Sequence, residues 1–216
     1  MASERAVVRA LLERHGRTYA DELGFDLARN TPSVLFRWLT ASILLSARIS
    51  ADQAVRATRA LADAGWTTAS KMAGATWEQR VRVLNQHGYA RYDERTSRML
   101  GETAAMLQET YKGDLRRLRG AAGKDPDEER RLPKACKGLG DVGVDIFFRE
   151  VQVAWDELFP FAGERALQTA AEVGLPDDTE RLANLVDRRD FPRLTAALIR
   201  SGLARDAAEI SAAAKG

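Results

Sequence analysis

The chain has 216 residues, 45% of them hydrophobic and 30% charged, which is enough for a substantial core in one domain or two small ones. A formal net charge of +2 does not by itself announce a nucleic-acid partner, and the lone cysteine, Cys136, excludes an internal disulfide, a thiolate zinc site and a four-cysteine iron–sulfur cluster. A charged N-terminus from Glu4 and Arg5 onward, with no long apolar run, leads us to expect no signal peptide, no membrane span and a cytoplasmic location.

Helix signals recur along the chain and strand signals do not. Val7, Val8, Leu11 and Leu12 mark an opening amphipathic helix that ends near Gly16 or continues weakly to Leu23. Thr31 followed by Pro32 reads as an N-cap with proline in the first turn, and the helix it opens is strongly apolar through Leu35, Trp38, Leu39, Ile43, Leu44 and Leu45. Ser50 with Gln53 forms a capping box for a helix to about Ala64, which Gly65 ends. Thr76 with Gln79 forms another, for a helix to Gly88. Met99, Leu100, Thr103, Met106, Leu107 and Tyr111 mark the next. A Gly/Asp/Pro-rich loop is expected from Gly120 to Asp127. Further helices follow from about Asp141 and from about Gly163 to Val173, with two more before the C-terminus, the longer opened by Asp190 and Pro192. The fold class is therefore all-α. His15 and His87 stand alone in charged helical contexts and read as surface residues, so neither a metal nor a cofactor is expected.

Charge is unevenly spread. Between Lys112 and Lys137 lie nine basic residues against five acids, a local excess of four, which reads plainly as a solvated face or loop. Directly after it, "CKGLGDVGVDIFFREV" carries a complete G-x-G-x-x-G at Gly138, Gly140 and Gly143. A dinucleotide site needs a buried strand before this motif. The preceding Glu128–Ala135 is charged and holds no β-branched run, so that reading fails, and helix–glycine turn–helix remains. Such a turn directs backbone N–H groups outward ahead of a helix N-terminus. It suits a phosphate oxygen, and glycine lets a nucleic-acid backbone approach closely. Lys134 and Lys137 sit beside it as point charges.

These residues resemble the hairpin of the helix-hairpin-helix DNA glycosylases, the superfamily of endonuclease III and the alkyladenine-type enzymes, typically L-P-G-[VI]-G-x-[KW]-T-A. The matching run here is Cys136 to Val144. "LTASILLSARISADQAVRATRAL", from Leu39 to Leu61, is similar to the family's early helix pair with its L-S-[AQ]-Q element. "HGYARYDERTSRML" resembles the segment in which a G-[FY] pair precedes a K-A-R-x-L helix. "FPFAGERALQTAAEVGL", from Phe159 to Leu175, resembles both F-P-x-x-D and V-D-T-H-x-x-R-V-x-x-R-L-G-L. The likeness covers roughly residues 32–175.

It implies two helical lobes. One is a central lobe over 30–150 ending in a helix-hairpin-helix at about 128–151; the other joins 1–29 to 151–216. It implies double-stranded DNA as partner, bound by a monomer through Lys134, Lys137, Gly138, Leu139 and Gly140. Arg48 falls where the family's duplex-wedging glutamine stands, although an arginine after a buried helix is also an ordinary surface charge. The departures bear on chemistry. The family's essential aspartate falls on Gly163, the lyase lysine of bifunctional members falls on Val142, and the C-terminal cysteine loop is absent. The resemblance therefore implies DNA repair by a monofunctional base-excising N-glycosylase of unnamed lesion, with no iron–sulfur cluster. The alternative is a glycosylase-fold protein that binds DNA or senses damage without chemistry; a third reading is a helical protein that binds a protein partner and no DNA. Glu164, one residue after the expected aspartate and near a helix start, is the first catalytic candidate, and Asp145 the second. A Gly163→Asp exchange is expected to supply the missing charge. Val142 reads as packing at a helix start, Cys136 as a buried small hydrophobe, and Trp38, Phe147, Phe148 and Trp155 as core.

Overall fold

Local capping chemistry sets where the helices begin. In the computed structural model, which describes residues 3–90 and 92–215, the helices in chain order are α1 (Glu4–His15), α2 (Tyr19–Leu23), α3 (Pro32–Leu45), α4 (Ala51–Asp63), α5 (Ala69–Gly74), α6 (Trp77–Gln86) and α7 (Asp93–Tyr111). They continue as α8 (Leu115–Ala121), α9 (Pro126–Arg131), α10 (Asp141–Val151), α11 (Glu164–Glu172), α12 (Thr179–Ala183), α13 (Phe191–Ala204) and α14 (Ala207–Ala213), with short 3₁₀ turns at Leu27–Arg29, Leu132–Ala135 and Asp156–Leu158. No strand occurs among the described residues, so the all-α reading holds. Arg91, inside the expected G-Y segment, lies outside them.

Both capping boxes form. Ser50 and Thr76 each accept a bond from the N–H of the glutamine three residues on, and that glutamine's side chain returns a bond to the cap. Pro32 opens α3 as expected, although the Thr31 side chain makes no capping bond. The loop expected from Gly120 to Asp127 is shorter than that: a turn at 122–125 lies between the end of α8 and the start of α9. Asp114 caps α8 through Arg116 N–H, Asp125 caps α9 through the N–H groups of Asp127 and Glu128, and a short turn joins the two helices. Charge density hid these helices, because each is under two turns long and shows no apolar period. Between α11 and the C-terminus there are three helices rather than two; α12 is a five-residue helix capped by Asp178.

The chain divides into two compact units, Leu23–Phe147, and Met1–Glu22 together with Phe148–Gly216. In the first, α7 packs on α5, α6 and α8, and α3 packs on α4 and α8. Its core includes Leu35, Trp38, Leu39, Leu44, Ala57, Met72, Leu84, Leu100, Leu107 and Phe147, and Trp38 Nε1 donates to Phe147 O at 3.1 Å. Arg80 is buried there without a carboxylate. Its guanidinium donates to Ser97 O at 2.9 Å on α7 and, at the end of α5, to Met72 O at 3.0 Å and Ala75 O at 2.5 Å.

In the second unit, α13 packs on α1 and α11, and α14 on α1. Leu11, Ala166, Ala170, Leu182, Phe191, Leu194, Leu198 and Ile210 form its core. Glu150, near the end of α10, is buried and accepts bonds from the N–H groups of Tyr19 at 3.0 Å and Ala20 at 2.8 Å, capping α2; burial pushes its carboxyl up from the ordinary range. His15, read as a surface residue, is instead partly buried, with Nε2 2.8 Å from Asp206 Oδ2. Asp206 also accepts from Ser201 Oγ at 2.6 Å. Burial alone would raise its carboxyl, but these bonds and the nearby Arg14 outweigh that and hold it low.

Candidate nucleic-acid interface

The glycine turn is built from α9, the 3₁₀ turn Leu132–Ala135, and α10. Leu139 N–H donates to Cys136 O at 3.1 Å, closing a four-residue turn whose third residue, Gly138, has φ +85°. That is the type II arrangement, which requires positive φ at this place and hence glycine. Gly138 is fixed from below as well. A Cβ there would run into the methyl end of Met99 and come within 3.4 Å of Ile43 Cγ2, so α7 and α3 form the floor of the turn. Thr103 Oγ1, also from α7, donates to Lys137 O at 3.1 Å and anchors the turn to that helix.

Gly140 is different. It is exposed, and a Cβ added to it would meet nothing within 4 Å. Its carbonyl accepts from Val144 N–H at 3.0 Å and so starts α10. The N–H groups of Asp141, Val142 and Gly143 precede any intrahelical acceptor and lie at the positive end of an 11-residue helix. An open glycine ahead of the first-turn N–H groups is a surface that a phosphate can approach closely. The third glycine serves packing: a Cβ on Gly143 would sit 2.8 Å from Leu139 Cδ1, so its absence lets Leu139 tuck under the helix.

The structure brings most of the residues proposed from sequence to this place, with changed roles. Lys134 and Lys137 are exposed, as a phosphate contact requires. Leu139 is 2% exposed and spends its N–H within the turn, so it shapes the hairpin and has neither side chain nor donor left to offer. Asp145 is tied to Arg130, whose Nη2 lies 2.5 Å from its Oδ1, which gives it an ion-pair role in holding α9 to α10. Arg48 is exposed in the bend between α3 and α4, where Ile49 N–H donates to Ala47 O at 2.9 Å and leaves Arg48 at the tip. The same bend reaches the hairpin, since Ser46 Cβ lies 3.7 Å from where a Cβ on Gly143 would be. Val142 does not pack at the helix start as expected; it is 58% exposed. Cys136 is buried, and desolvation pushes its thiol up to about 12, so it is no nucleophile.

One group at the turn was missed. Asp141, the residue after the second glycine, places its carboxylate against Lys134 Nζ and 3.8 Å from Arg130 Nη1. Lys134 and, more weakly, Arg130 hold its carboxyl below the usual range. Its signal in the sequence was an acid where a phosphate-binding hairpin is better served by a neutral or basic residue.

Glu164 belongs to the other unit. It opens α11 behind Gly163, is exposed, and its Oε1 accepts from Gln168 Nε2 at 3.2 Å. The preceding loop is held firmly: the buried Gln152 donates through Nε2 to Phe161 O at 2.8 Å and accepts from Phe161 N–H at 3.0 Å. Gly163 has φ +79° and ψ 148°, a conformation that essentially glycine alone adopts. An aspartate placed there would supply the missing charge only by straining this backbone.

Among the described residues no three His, Cys, Asp or Glu are grouped to hold a metal ion, and no helix is long and apolar enough to cross a membrane. No family model matches the chain, and no curated protein matches it. Among the solved structures that it resembles are two endonuclease III–DNA complexes. One is a non-covalent endonuclease III–DNA complex, 17% identical, covering 93% of this chain and 86% of that one with a TM-score of 0.51. The other is a trapped endonuclease III–DNA covalent intermediate in an estranged-adenine complex, 16% identical over the same shares with a TM-score of 0.49. The first likeness shows the fold: this chain has the all-helical architecture of endonuclease III.

Proposed function

We propose that this chain binds duplex DNA as a monomer, through the backbone of the Gly138–Gly140 hairpin, and removes a damaged base by hydrolysing its N-glycosyl bond without cutting the strand. The observation that carries the reading is the open Gly140 ahead of the first-turn donors of α10, flanked by exposed Lys134 and Lys137. These groups recognise phosphate and not sequence, so binding should weaken steeply with salt and vary little between duplexes. Arg48, at the tip of the neighbouring bend, is suited to enter the duplex where a base leaves.

The base is taken out of the stack at a cost of a few kcal/mol. Its N-glycosyl bond then breaks with the electron pair leaving on the base, and water adds to the sugar carbon. Glu164 stabilises the sugar cation and accepts the proton of that water. Val142, where a Schiff-base lysine would stand, offers no amine, so the abasic sugar stays in an intact strand.

A second reading, damage sensing without chemistry, is supported by Glu164 lying exposed and by the uncharged, glycine-specific conformation at Gly163. A panel of duplexes carrying uracil, oxidised or alkylated bases separates the two. Release of a free base from any of them supports the glycosylase. Tight binding with no release from the whole panel assigns the second reading. Failure to bind duplex DNA overturns both.

A further inference from the structure

We propose that Asp141 is an intramolecular competitor for the DNA phosphate, occupying Lys134 and thereby limiting the affinity of the hairpin; the inference rests on the hairpin reading above.

The geometry of the turn carries it. Of the cations leading into the hairpin, Lys134 contacts the Asp141 carboxylate, and Arg130 is shared between Asp145 and, at 3.8 Å, Asp141. Lys137 is exposed and joins none of the ion pairs among the described residues. The basic approach that the sequence suggests is therefore largely matched from within. Asp141 is 73% exposed and stands in the first turn of α10, at the end of the helix dipole that favours an anion. It thus offers a fixed carboxylate where a phosphate oxygen would otherwise gain both the helix donors and the lysine. Lys134 keeps its carboxyl ionised, so the competition persists throughout the neutral range.

Counterion release gives the consequence. A lysine already matched by a carboxylate neutralises no phosphate, and it adds nothing to the salt dependence of binding until that carboxylate is displaced. A free lysine steepens the slope of log affinity against log salt by about 0.9. The contact acts as a brake, leaving the hairpin able to let go of undamaged duplex.

The test measures binding of a short, undamaged, fluorescent duplex over a salt series, with thermal melting to confirm folding. Asp141→Asn keeps the side-chain size and should tighten binding roughly three- to tenfold at moderate salt, with a slope steeper by about 0.9. Lys134→Gln should abolish the gain in the Asp141→Asn background. Tighter binding that survives Lys134→Gln would overturn the competition. Unchanged or weaker binding by a folded Asp141→Asn variant would overturn it too, while a loss of binding in Gly140→Leu would show that the hairpin reading still stands. If neither Gly140→Leu nor Asp141→Asn alters binding, the hairpin reading falls and the proposal with it.

Discussion

Two of the helices that start behind glycines held at positive φ, α10 behind the Gly138–Gly140 turn and α11 behind Gly163, are built to different ends. At the first, everything needed to hold an anion belongs to the backbone. The turn is closed by its own hydrogen bond, floored by Met99 and Ile43, and anchored by Thr103, and Gly140 faces open space. At the second, the loop is held through Gln152 and Phe161, yet nothing charged stands at the glycine itself; the next residue along the chain, Glu164, is exposed and bonded to Gln168. An anion site made of backbone needs only glycines and a helix start, whereas a side-chain-borne reaction depends on one carboxylate in one place.

The largest effect that would sharpen this contrast is chemical. If a substrate base is found, Glu164→Gln should slow its release by at least ~10²-fold while leaving duplex affinity near the native value. Normal turnover in that variant would remove Glu164 from the chemistry. Next in size is a cost in stability. Gly163→Asp should destabilise the fold by about 1–3 kcal/mol, because φ +79° with ψ 148° suits glycine and not an L residue. Chemical denaturation checks this, and an unchanged midpoint would show that the loop relaxes freely. The smallest expected effect is none at all. Borohydride should trap no covalent complex with an abasic duplex, since Val142 carries no amine; efficient trapping would place the nucleophile on another lysine or the terminal amine.

How much of this could be read from residues alone follows the same division. The capping boxes at Ser50 and Thr76, Pro32 at the head of α3 and the start of α10 were legible because they depend on neighbours three or four residues away. The glycine turn was legible for the same reason. The short helices α8, α9 and α12 were not, because seven residues or fewer cannot display a period. The partners of Asp145 and Lys134 were equally out of reach. Arg130 and Asp141 lie 15 and 7 residues away along the chain, and only the hairpin brings the carboxylates and cations together. The conformation of Gly163 was hidden too: composition shows a glycine where an acid was sought, and only the backbone angles, φ +79° with ψ 148°, show that an L residue there is strained.

The central claim is that the hairpin backbone, and specifically the open face at Gly140, holds the DNA phosphate. Gly140→Leu tests it most directly, because a Cβ there meets no protein atom within 4 Å and φ is not in the glycine region. The account predicts a variant that melts like the native protein and binds duplex at least ~10-fold more weakly, with a shallower salt dependence as phosphate contacts are lost. Native affinity and an unchanged salt slope in a fully folded Gly140→Leu protein would contradict it.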